Sequence, residues 1–212
     1  MTNSLTNPGI TAVLDRLFKA AEDDASQNVT VDLSDARAAA DALADVYMPI
    51  SADGGKLLYT LVRAIRPRTV VEFGTSYGIS TIYLGAAIAD NGTGHVYGSE
   101  LSTAKVEAAR DNIAEAGLAD HATVLPGDAR ETFADITGPI ELVLLDGWKE
   151  LCVPVLRLLE PKLAPGALVV ADDITLPSMA DYLAYVRDPA NGYVSVEFPV
   201  EDGMELSSYT GA

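Results

Sequence analysis

The fold is decided by the stretch Val70-Val71-Glu72-Phe73-Gly74-Thr75-Ser76-Tyr77-Gly78-Ile79-Ser80. It begins as a short β-branched run that ends in an acid, continues through a glycine-spaced turn, and leads into a helical segment. A strand that passes through such a turn to the N-terminus of a helix is a common cradle for a nucleoside-bearing cofactor. The stretch therefore predicts a strand–turn–helix unit with a cofactor site.

The spacing of the two glycines indicates which cofactor this turn would take. Gly74 and Gly78 form Gly-x-x-x-Gly, whereas the dinucleotide fingerprint is Gly-x-Gly-x-x-Gly, whose middle glycine lets the backbone approach a pyrophosphate. Ser76 stands in that middle place, and the acid before the turn suits a cationic ligand better than a phosphate. We therefore predict S-adenosylmethionine rather than NAD, with an ordinary strand–helix turn as the alternative.

Length and composition indicate a single globular domain with a large core. The chain has 212 residues, of which 49% are hydrophobic and 21% charged. Its 31 acidic and 14 basic residues give a formal charge of −17, which argues against nucleic acid as a partner, because phosphate binding needs a basic face. Cys152 is the only cysteine, so we expect a reducing, cytoplasmic compartment. We expect no signal peptide and no membrane partner.

Strand-like runs alternate with helical runs along most of the chain. Five predicted strands cover residues 69–73, 95–99, 122–125, 140–145 and 167–171, and helical segments follow them at 79–89, 103–116, 130–135, 149–163 and 178–188. Two further strands, 193–198 and 204–209, flank Glu201-Asp202-Gly203 as a hairpin. The pattern predicts an α/β fold with a doubly wound, mostly parallel seven-stranded sheet and a C-terminal antiparallel hairpin. This is the Rossmann-like layout of class I methyltransferases, which does not by itself prove a function.

Three helical segments are predicted before the first strand. Apolar residues recur at helical spacing from Val13 to Ala21 and again from Leu33 to Val46. A third helix is predicted to open at Asp53 and to stop at Pro67.

Two of the predicted strands end near residues that suit the nucleoside part of a cofactor. Ligands of doubly wound sheets gather at the carboxyl ends of the strands. Glu100 follows the second strand, where an acid can accept hydrogen bonds from both ribose hydroxyls, or else interact favourably with the dipole of the next helix. Asp128 and Ala129 follow the third strand and would meet the adenine, unless Asp128 only caps the next helix.

Three carboxylates are predicted to converge after the fourth and fifth strands. Asp146 follows the fourth strand, and Asp172 and Asp173 follow the fifth. Carboxylates at close range raise one another's pKa unless a cation lies among them, and a site with only oxygen ligands suits Mg²⁺. The alternative is that the three acids are solvated side chains at the mouth of a loop. Near a metal and a methyl-donor cation, Lys149 would have a lowered pKa and serve as a base, or it is an exposed lysine of the next helix. Trp148 is either a core residue or a flat wall for the adenine.

At this point the residues resemble the catechol O-methyltransferases and their cation-dependent O-methyltransferase relatives, over roughly residues 45–212. Leu144-Leu145-Asp146-Gly147-Trp148-Lys149 is similar to the family's Leu-Asp-His-Trp-Lys, with Gly147 in place of histidine. Val170-Ala171-Asp172-Asp173 is similar to its Ala-Asp-Asn, with Asp173 in place of asparagine. Met48-Pro49-Ile50 resembles its Met-Asn-Val, and Asp202-Gly203-Met204-Glu205 resembles its late Asp-Gly-Leu-Glu.

The resemblance implies a role for each matched residue. Lys149 would be the catalytic base, and Asp146, Asp172 and Asp173 would bind Mg²⁺ or another divalent cation. The implied cofactor-binding residues are Ile50, Glu72, Gly74, Ser80, Glu100, Leu101, Asp128, Ala129, Asp146 and Trp148. Of these, Glu72, Gly74 and Ser80 would line the methionine end, Glu100 would hold the ribose, and Ala129 and Trp148 would flank the adenine. Within one compact domain, residues 1–48 would form an N-terminal helical cap and residues 49–212 the methyltransferase domain.

We therefore expect an S-adenosylmethionine-dependent O-methyltransferase that uses Mg²⁺ to methylate a hydroxyl of a catechol-like or vicinal-diol small molecule. The partner would be a hydroxylated aromatic substrate, and the oligomeric state is open, a homodimer included. The alternatives are a metal-independent methyltransferase acting on another small hydroxyl or amine, an NAD-linked oxidoreductase, and a non-catalytic cofactor-binding protein of the same fold.

Overall fold

The structure is a computed structural model that describes residues 3–24 and 35–211. In this part of the chain seven strands form one sheet in the order β3-β2-β1-β4-β5-β7-β6. The strands are β1 Thr69–Phe73, β2 His95–Glu100, β3 Ala122–Pro126, β4 Ile140–Leu145, β5 Leu163–Ala171, β6 Tyr193–Phe198 and β7 Met204–Tyr209. The first five strands are parallel, and β7 pairs antiparallel with both β5 and β6. The predicted fold class is thus confirmed.

The strand order creates a crevice beside β1. The chain runs outward from β1 through β2 to β3, and then returns to the other side of β1 as β4. Connections therefore leave β1 and β4 in opposite directions, which opens a gap at their carboxyl ends where ligands of such sheets bind. Phe73 at the end of β1 pairs with Leu145 at the end of β4, and Leu145 pairs with Ala171 of β5.

Eight α-helices are described. They are α1 Pro8–Asp24, α2 Ala36–Ala42, α3 Ala52–Ile65, α4 Ile79–Asn91, α5 Thr103–Glu115, α6 Ala129–Thr132, α7 Cys152–Leu159 and α8 Ala180–Arg187.

Several helix boundaries differ from the sequence prediction, and local features account for some of the differences. The third helix begins at Ala52 rather than Asp53, because the Ser51 side chain accepts a hydrogen bond from Gly54 N. The predicted helix 149–163 divides into a 3₁₀ turn, then α7 over Cys152–Leu159, and a second 3₁₀ turn. Pro161 lacks a backbone N–H and disfavours helical geometry in the residue before it, so the regular helix ends ahead of it. The second predicted helix is described over Ala36–Ala42, and Leu33 lies outside the described residues.

The sheet is buried on both faces, which accounts for its near-continuous apolar strands. One face packs against α1, α3, α4 and α5, with strand residues such as Leu142 and Leu144 inside that layer. The other face packs against α6, α7 and α8, with Val143 and Leu145 inside. Within the described ranges, no helix combines the length and the apolar character that crossing a membrane would require.

Candidate active site

A cavity of about 420 Å³ lies at the carboxyl ends of the parallel strands. It is lined by most of the residues that the sequence predicted, namely Gly74, Glu100, Leu101, Ala129, Asp146, Trp148, Lys149, Asp172 and Asp173. A much smaller neighbouring cavity is lined by Ile50 and Ser80, together with Gly74 and Asp146. The crevice beside β1 therefore brings together residues from the ends of all five parallel strands and from the segment before α3.

The glycine turn packs directly against the loop after β4. Gly74 has φ +97°, and a Cβ atom there would lie 2.6 Å from the carbonyl carbon of Asp146 and 2.5 Å from the amide nitrogen of Gly147. Only glycine permits both this backbone conformation and this close approach. The amide of Asp146 in turn donates a hydrogen bond to Phe73 O at 2.8 Å. The turn thereby fixes the position of the Asp146 backbone.

Gly147 lies against the ring of Phe73 rather than beside empty space. A Cβ atom at Gly147 would come within 2.5–2.7 Å of three ring carbons of Phe73. The family's histidine at this position would therefore require the Phe73 ring to move. Phe73 itself contributes to the wall of the main cavity.

Glu72 lies behind the turn and lines neither cavity. Its carboxylate accepts hydrogen bonds from the hydroxyls of Thr75 at 3.0 Å, Ser80 at 2.7 Å and Thr81 at 2.5 Å, and the residue is fully buried. Burial raises the pKa of Glu72 to about 7, although the three hydroxyls oppose that rise. In the described structure Glu72 ties β1 to the first turn of α4, and a contact with a cofactor stays a prediction.

The end of the cavity assigned to the nucleoside is organised around Glu100. Its Oε2 accepts a hydrogen bond from Ser76 N and its Oε1 accepts one from Ser102 N, both at 2.8 Å. The carboxylate therefore links the glycine turn to the start of α5 while each oxygen keeps a further lone pair. Trp148 and Ala129 lie in the cavity wall as well.

The Asp128 side chain is bound to its own helix and lines neither cavity, and its contact with the adenine stays a prediction. Its side chain accepts a hydrogen bond from Arg130 N and forms an ion pair with the Arg130 guanidinium at 2.6 Å. Hydrogen bonding to Arg130 also lowers the pKa of Asp128. It therefore acts as the N-cap of α6, which is the alternative that the sequence left open.

The three predicted carboxylates do converge. Asp146, Asp172 and Asp173 each offer an oxygen atom, and these atoms all lie within 4.8 Å of one another. Lys149 Nζ lies 3.0 Å from Asp146 Oδ1 and 2.9 Å from Asp173 Oδ2. One ammonium thus joins the loop after β4 to the loop after β5. We call these four residues the acid–lysine cluster.

Electrostatics within the acid–lysine cluster reflect an excess of negative charge. Burial, followed by repulsion from Asp146 and Asp173, raises the pKa of Asp172 to about 8. Burial also raises the pKa of Asp146, and the nearby ammonium opposes that rise. For Lys149, the lowered pKa expected beside a metal and a methyl-donor cation stays a prediction. Burial would lower the pKa of Lys149, but the carboxylates of Asp146 and Asp173 outweigh it and raise the pKa above its ordinary value.

The donor set of this cluster fits a hard divalent cation. Carboxylate oxygens are the ligands that Mg²⁺ and Ca²⁺ prefer, and three of them from two loops leave room for water or substrate oxygens. Three carboxylates also carry more negative charge than the single Lys149 ammonium can balance. The raised pKa of buried Asp172 indicates the same charge imbalance, which a divalent cation would relieve.

Backbone strain is concentrated around the cavity. Five non-glycine residues among those described have positive φ, and four of them line the main cavity, namely Met48, Ser76, Asp173 and Glu201. Such conformations cost roughly 1–3 kcal/mol each and tend to persist at ligand sites, where the surrounding structure enforces them. For Ser76, the enforcing contacts are two hydrogen bonds that it donates, one from its backbone N–H to Glu100 Oε2 and one from its hydroxyl to Tyr47 O, both at 2.8 Å.

Sequence reasoning did not identify two contributors to the site. Thr81 donates a 2.5 Å hydrogen bond to Glu72, and no local motif predicts this contact because it depends on how α4 docks against β1. Lys105 lines the main cavity and is 3% exposed. A signal for Lys105 was present, because a lysine in the first turn of a helix is disfavoured by the helix dipole.

A family model described as a methyltransferase domain matches residues 71–174. This range runs from the centre of β1 through the loop that carries Asp172 and Asp173. Residues 71–174 therefore resemble a methyltransferase domain. The chain is similar in sequence to the catechol O-methyltransferase of Mycobacterium tuberculosis, with 36% identity over 143 residues that make up 67% of this chain and 64% of that relative. The resemblance inferred from the motifs is confirmed.

Solved structures extend the similarity over nearly the whole chain. Cofactor-bound Rv0187 from MTB has a TM-score of 0.74 and 25% identity, covering 98% of this chain and 94% of that one. The O-methyltransferase TomG from Streptomyces achromogenes, solved in complex with SAM, has a TM-score of 0.67 and 25% identity, covering 93% and 99%. The chain spans just under two thirds of the length of the catechol O-methyltransferases from M. tuberculosis, Danio rerio and Mus musculus, at 64%, 66% and 63%.

Proposed function

We propose that the chain is an S-adenosylmethionine-dependent O-methyltransferase that uses a divalent cation such as Mg²⁺ to act on a catechol-like or other vicinal-diol small molecule. The observation that carries the proposal is the acid–lysine cluster, which shares one cavity with the glycine turn and Glu100. The similarity to catechol O-methyltransferases and to an O-methyltransferase solved with SAM supports the same activity.

The cofactor would lie along the crevice beside β1. Glu100 would accept hydrogen bonds from the ribose hydroxyls, and Trp148 and Ala129 would flank the adenine. Gly74 and Ser80 border the smaller cavity, where the methionine end would be bound. When bound, S-adenosylmethionine supplies an electrophilic methyl group on a sulfonium. By holding donor and acceptor in one cavity, the chain would convert an encounter into a unimolecular step, an effect that reaches about 7–11 kcal/mol in favourable cases.

Asp146, Asp172 and Asp173 would hold the cation. When bound there, a divalent cation supplies a Lewis acid that lowers the pKa of a coordinated hydroxyl. Asp172 is the most deeply buried of the three and makes no ion pair with Lys149. Its carboxylate therefore has the greatest need of a cation partner.

Lys149 would receive the proton of the acceptor hydroxyl at Nζ only as a neutral amine, so the ammonium would first have to lose a proton to solvent. A divalent cation held by the same carboxylates would lower the pKa of Lys149 in that direction. The Lys149 side chain is 12% exposed and is held by two hydrogen-bonded ion pairs, so the amine has a fixed position at the cavity wall. A positioned general base is typically worth about 10²- to 10⁴-fold in rate. The substrate would be a small hydroxylated aromatic molecule, since the cavity also offers the apolar side chains of Met48, Leu176 and Trp148.

The N-terminal segment would serve as a cap over the cavity. Ala40 of α2, Leu43 and Met48 all contribute to the cavity wall. They precede the sheet and would exclude water from the transfer step. This supports the division into a helical cap over residues 1–48 and a methyltransferase domain over residues 49–212.

The proposal is tested by incubating the chain with labelled S-adenosylmethionine, Mg²⁺ and a panel of catechols, with monohydroxy phenols as the matched acceptors. The expected result is a methylated catechol detected by mass spectrometry, little product from the monohydroxy phenols, and loss of product in excess EDTA. Absence of methyl transfer to any hydroxyl under saturating donor and Mg²⁺ would contradict it.

A second candidate is a metal-independent methyltransferase acting on another small hydroxyl or amine. The observation that favours it is the Lys149 ammonium, which already neutralises part of the charge on Asp146 and Asp173. Full activity in excess EDTA would select this candidate, whereas restoration of lost activity by added Mg²⁺ would select the first.

A further inference from the structure

Lys105 is a buried cation at the wall of the main cavity that finds no hydrogen-bond acceptor in the part of the chain that the structure describes. The residue is 3% exposed, and its ammonium makes no hydrogen bond or ion pair within residues 3–24 and 35–211. An ammonium carries three donors, and because Nζ is not fully enclosed by protein atoms, those of Lys105 can meet a ligand in the cavity. We infer that Lys105 is a nucleoside-recognition residue, whose Nζ donates a hydrogen bond to a ribose hydroxyl oxygen of the bound S-adenosyl cofactor. This inference rests on the proposed function.

The local preferences of a helix do not explain why a lysine occupies position 105. It lies in the first turn of α5, where the helix dipole repels a positive charge. The nearest ring is that of Tyr77, whose centroid lies 5.6 Å from Nζ. Tyr77 is itself stacked on Tyr47 at 4.0 Å between ring centroids, and its hydroxyl donates to Ala44 O. The ammonium therefore rests on a fixed aromatic face, an arrangement that stabilises a cation but leaves its N–H donors unused.

Glu100 and Lys105 are complementary toward a hydroxyl group. Both line the same cavity, and the Glu100 carboxylate attracts the Lys105 ammonium without a direct hydrogen bond. Each Glu100 oxygen already accepts one backbone amide and keeps a lone pair for an O–H donor. A ribose hydroxyl that donates to Glu100 has oxygen lone pairs of its own, which need a donor. Lys105 can supply that donor.

The position of Lys105 also separates it from the reacting end of the cofactor. The carboxylates that suit a cation, Asp146, Asp172 and Asp173, follow β4 and β5, whereas Lys105 follows β2 on the far side of β1. A positive charge beside the sulfonium would weaken donor binding. Beside the ribose it would meet oxygen acceptors, and the carboxylates of Glu100 and Asp24 both attract it. Lys105 would accordingly raise cofactor affinity without contacting the methyl group.

The test measures binding rather than turnover. S-adenosylhomocysteine and its 2′-deoxy and 3′-deoxy forms are titrated by calorimetry into the wild type, Lys105→Met and a control, Lys19→Met, which removes an exposed lysine of α1. We expect Lys105→Met to weaken S-adenosylhomocysteine binding roughly 10- to 100-fold, as for a lost hydrogen bond from a charged donor. The loss should fall to within twofold for the deoxy form that lacks the contacted hydroxyl. Lys19→Met should bind all three ligands like the wild type.

A second readout separates recognition from folding. Because Lys105→Met removes a buried unpaired charge, its thermal midpoint without ligand should be no lower than that of the wild type. If Lys105→Met does not fold, Lys105→Gln is titrated with the same three ligands. Unchanged affinity for S-adenosylhomocysteine, or an equal loss for all three ligands, would overturn the ribose contact. Failure of the wild type to bind S-adenosylhomocysteine would instead contradict the proposed function.

Discussion

Asp146 and Lys149 form a largely buried ion pair at the carboxyl end of β4, with 3.0 Å between Oδ1 and Nζ. The same ammonium reaches Asp173 Oδ2 at 2.9 Å, so it links two loops that a cation would also link. Asp172 lies beside them without an ion pair to Lys149. The lysine and a divalent cation would therefore draw on the same carboxylates, and this relationship makes the roles of metal ligand and base separable by experiment.

Replacing Lys149 by methionine should strengthen the binding of a divalent cation. The substitution removes a positive charge about 3 Å from two of the proposed ligand oxygens, and that charge repels the incoming ion. We expect the affinity for Mn²⁺, measured by calorimetry, to rise several-fold in Lys149→Met. An exposed-lysine control, Lys56→Met, should bind Mn²⁺ like the wild type. Equal or weaker binding in Lys149→Met would show that the ammonium does not compete with the cation.

Replacing Lys149 should reduce turnover far more than cofactor affinity. Lys149→Ala is expected to lower kcat by about 10²- to 10⁴-fold, the usual worth of a positioned base, with little change in the Kd of S-adenosylhomocysteine. Lys149→Arg is the matched variant, because it keeps the positive charge but is not deprotonated in proteins. It should also lose turnover. Retained turnover in Lys149→Arg would contradict the role of base while leaving a role in charge balance.

Glu72 should make the free energy of unfolding depend on pH in a particular direction. Its pKa rises from an ordinary 4.5 to about 7 in the folded chain, so the folded state holds the proton more tightly. The stability that the protonated form contributes is present below about pH 4.5 and is lost as the pH rises through about 7. Glu72→Gln mimics the protonated form, and its stability relative to the wild type should increase by about 3 kcal/mol between pH 5 and pH 8.

Urea unfolding of the wild type and of Glu72→Gln at pH 5 and pH 8 measures this difference. Other groups that titrate in the same range affect both proteins alike, so the comparison isolates Glu72. A stability difference that is the same at both pH values would contradict the raised pKa.

Gly98 should tolerate alanine poorly, although it lies inside a regular strand. A Cβ atom there would come 2.2 Å from Thr75 Oγ1 and 2.9 Å from Glu72 Oε2, so Gly98→Ala must displace the hydroxyl that holds the buried carboxylate. We expect a loss of about 1–3 kcal/mol in the free energy of unfolding. Gly85→Ala is the control, because Gly85 lies within α4 and a Cβ atom there would lie 3.6 Å from the Leu118 side chain, an ordinary van der Waals distance. It should be neutral or stabilising by up to about 1 kcal/mol, and equal losses in the two variants would refute the steric explanation.

The sequence allowed the sheet and the convergence of the three acids to be predicted because both follow from local signals. Buried runs such as Leu142–Leu145 define strands by composition, and acids placed directly after neighbouring parallel strands must meet at one edge. The partners within the site were not predictable in the same way. That Lys149 is held by Asp146 and Asp173, and that Thr81 holds Glu72, depends on how separate elements dock. The orientation of Asp128 toward Arg130 was one of two readings of the same local sequence.

We propose that Asp146, Asp172 and Asp173 hold a divalent cation in the same cavity as the S-adenosyl cofactor. Anomalous scattering from crystals grown with Mn²⁺ and S-adenosylhomocysteine measures this directly. The account predicts a manganese peak among the three carboxylates in the wild type and none there in crystals of Asp172→Asn. A wild-type crystal with S-adenosylhomocysteine in the cavity and no manganese among these residues at saturating concentration would contradict it.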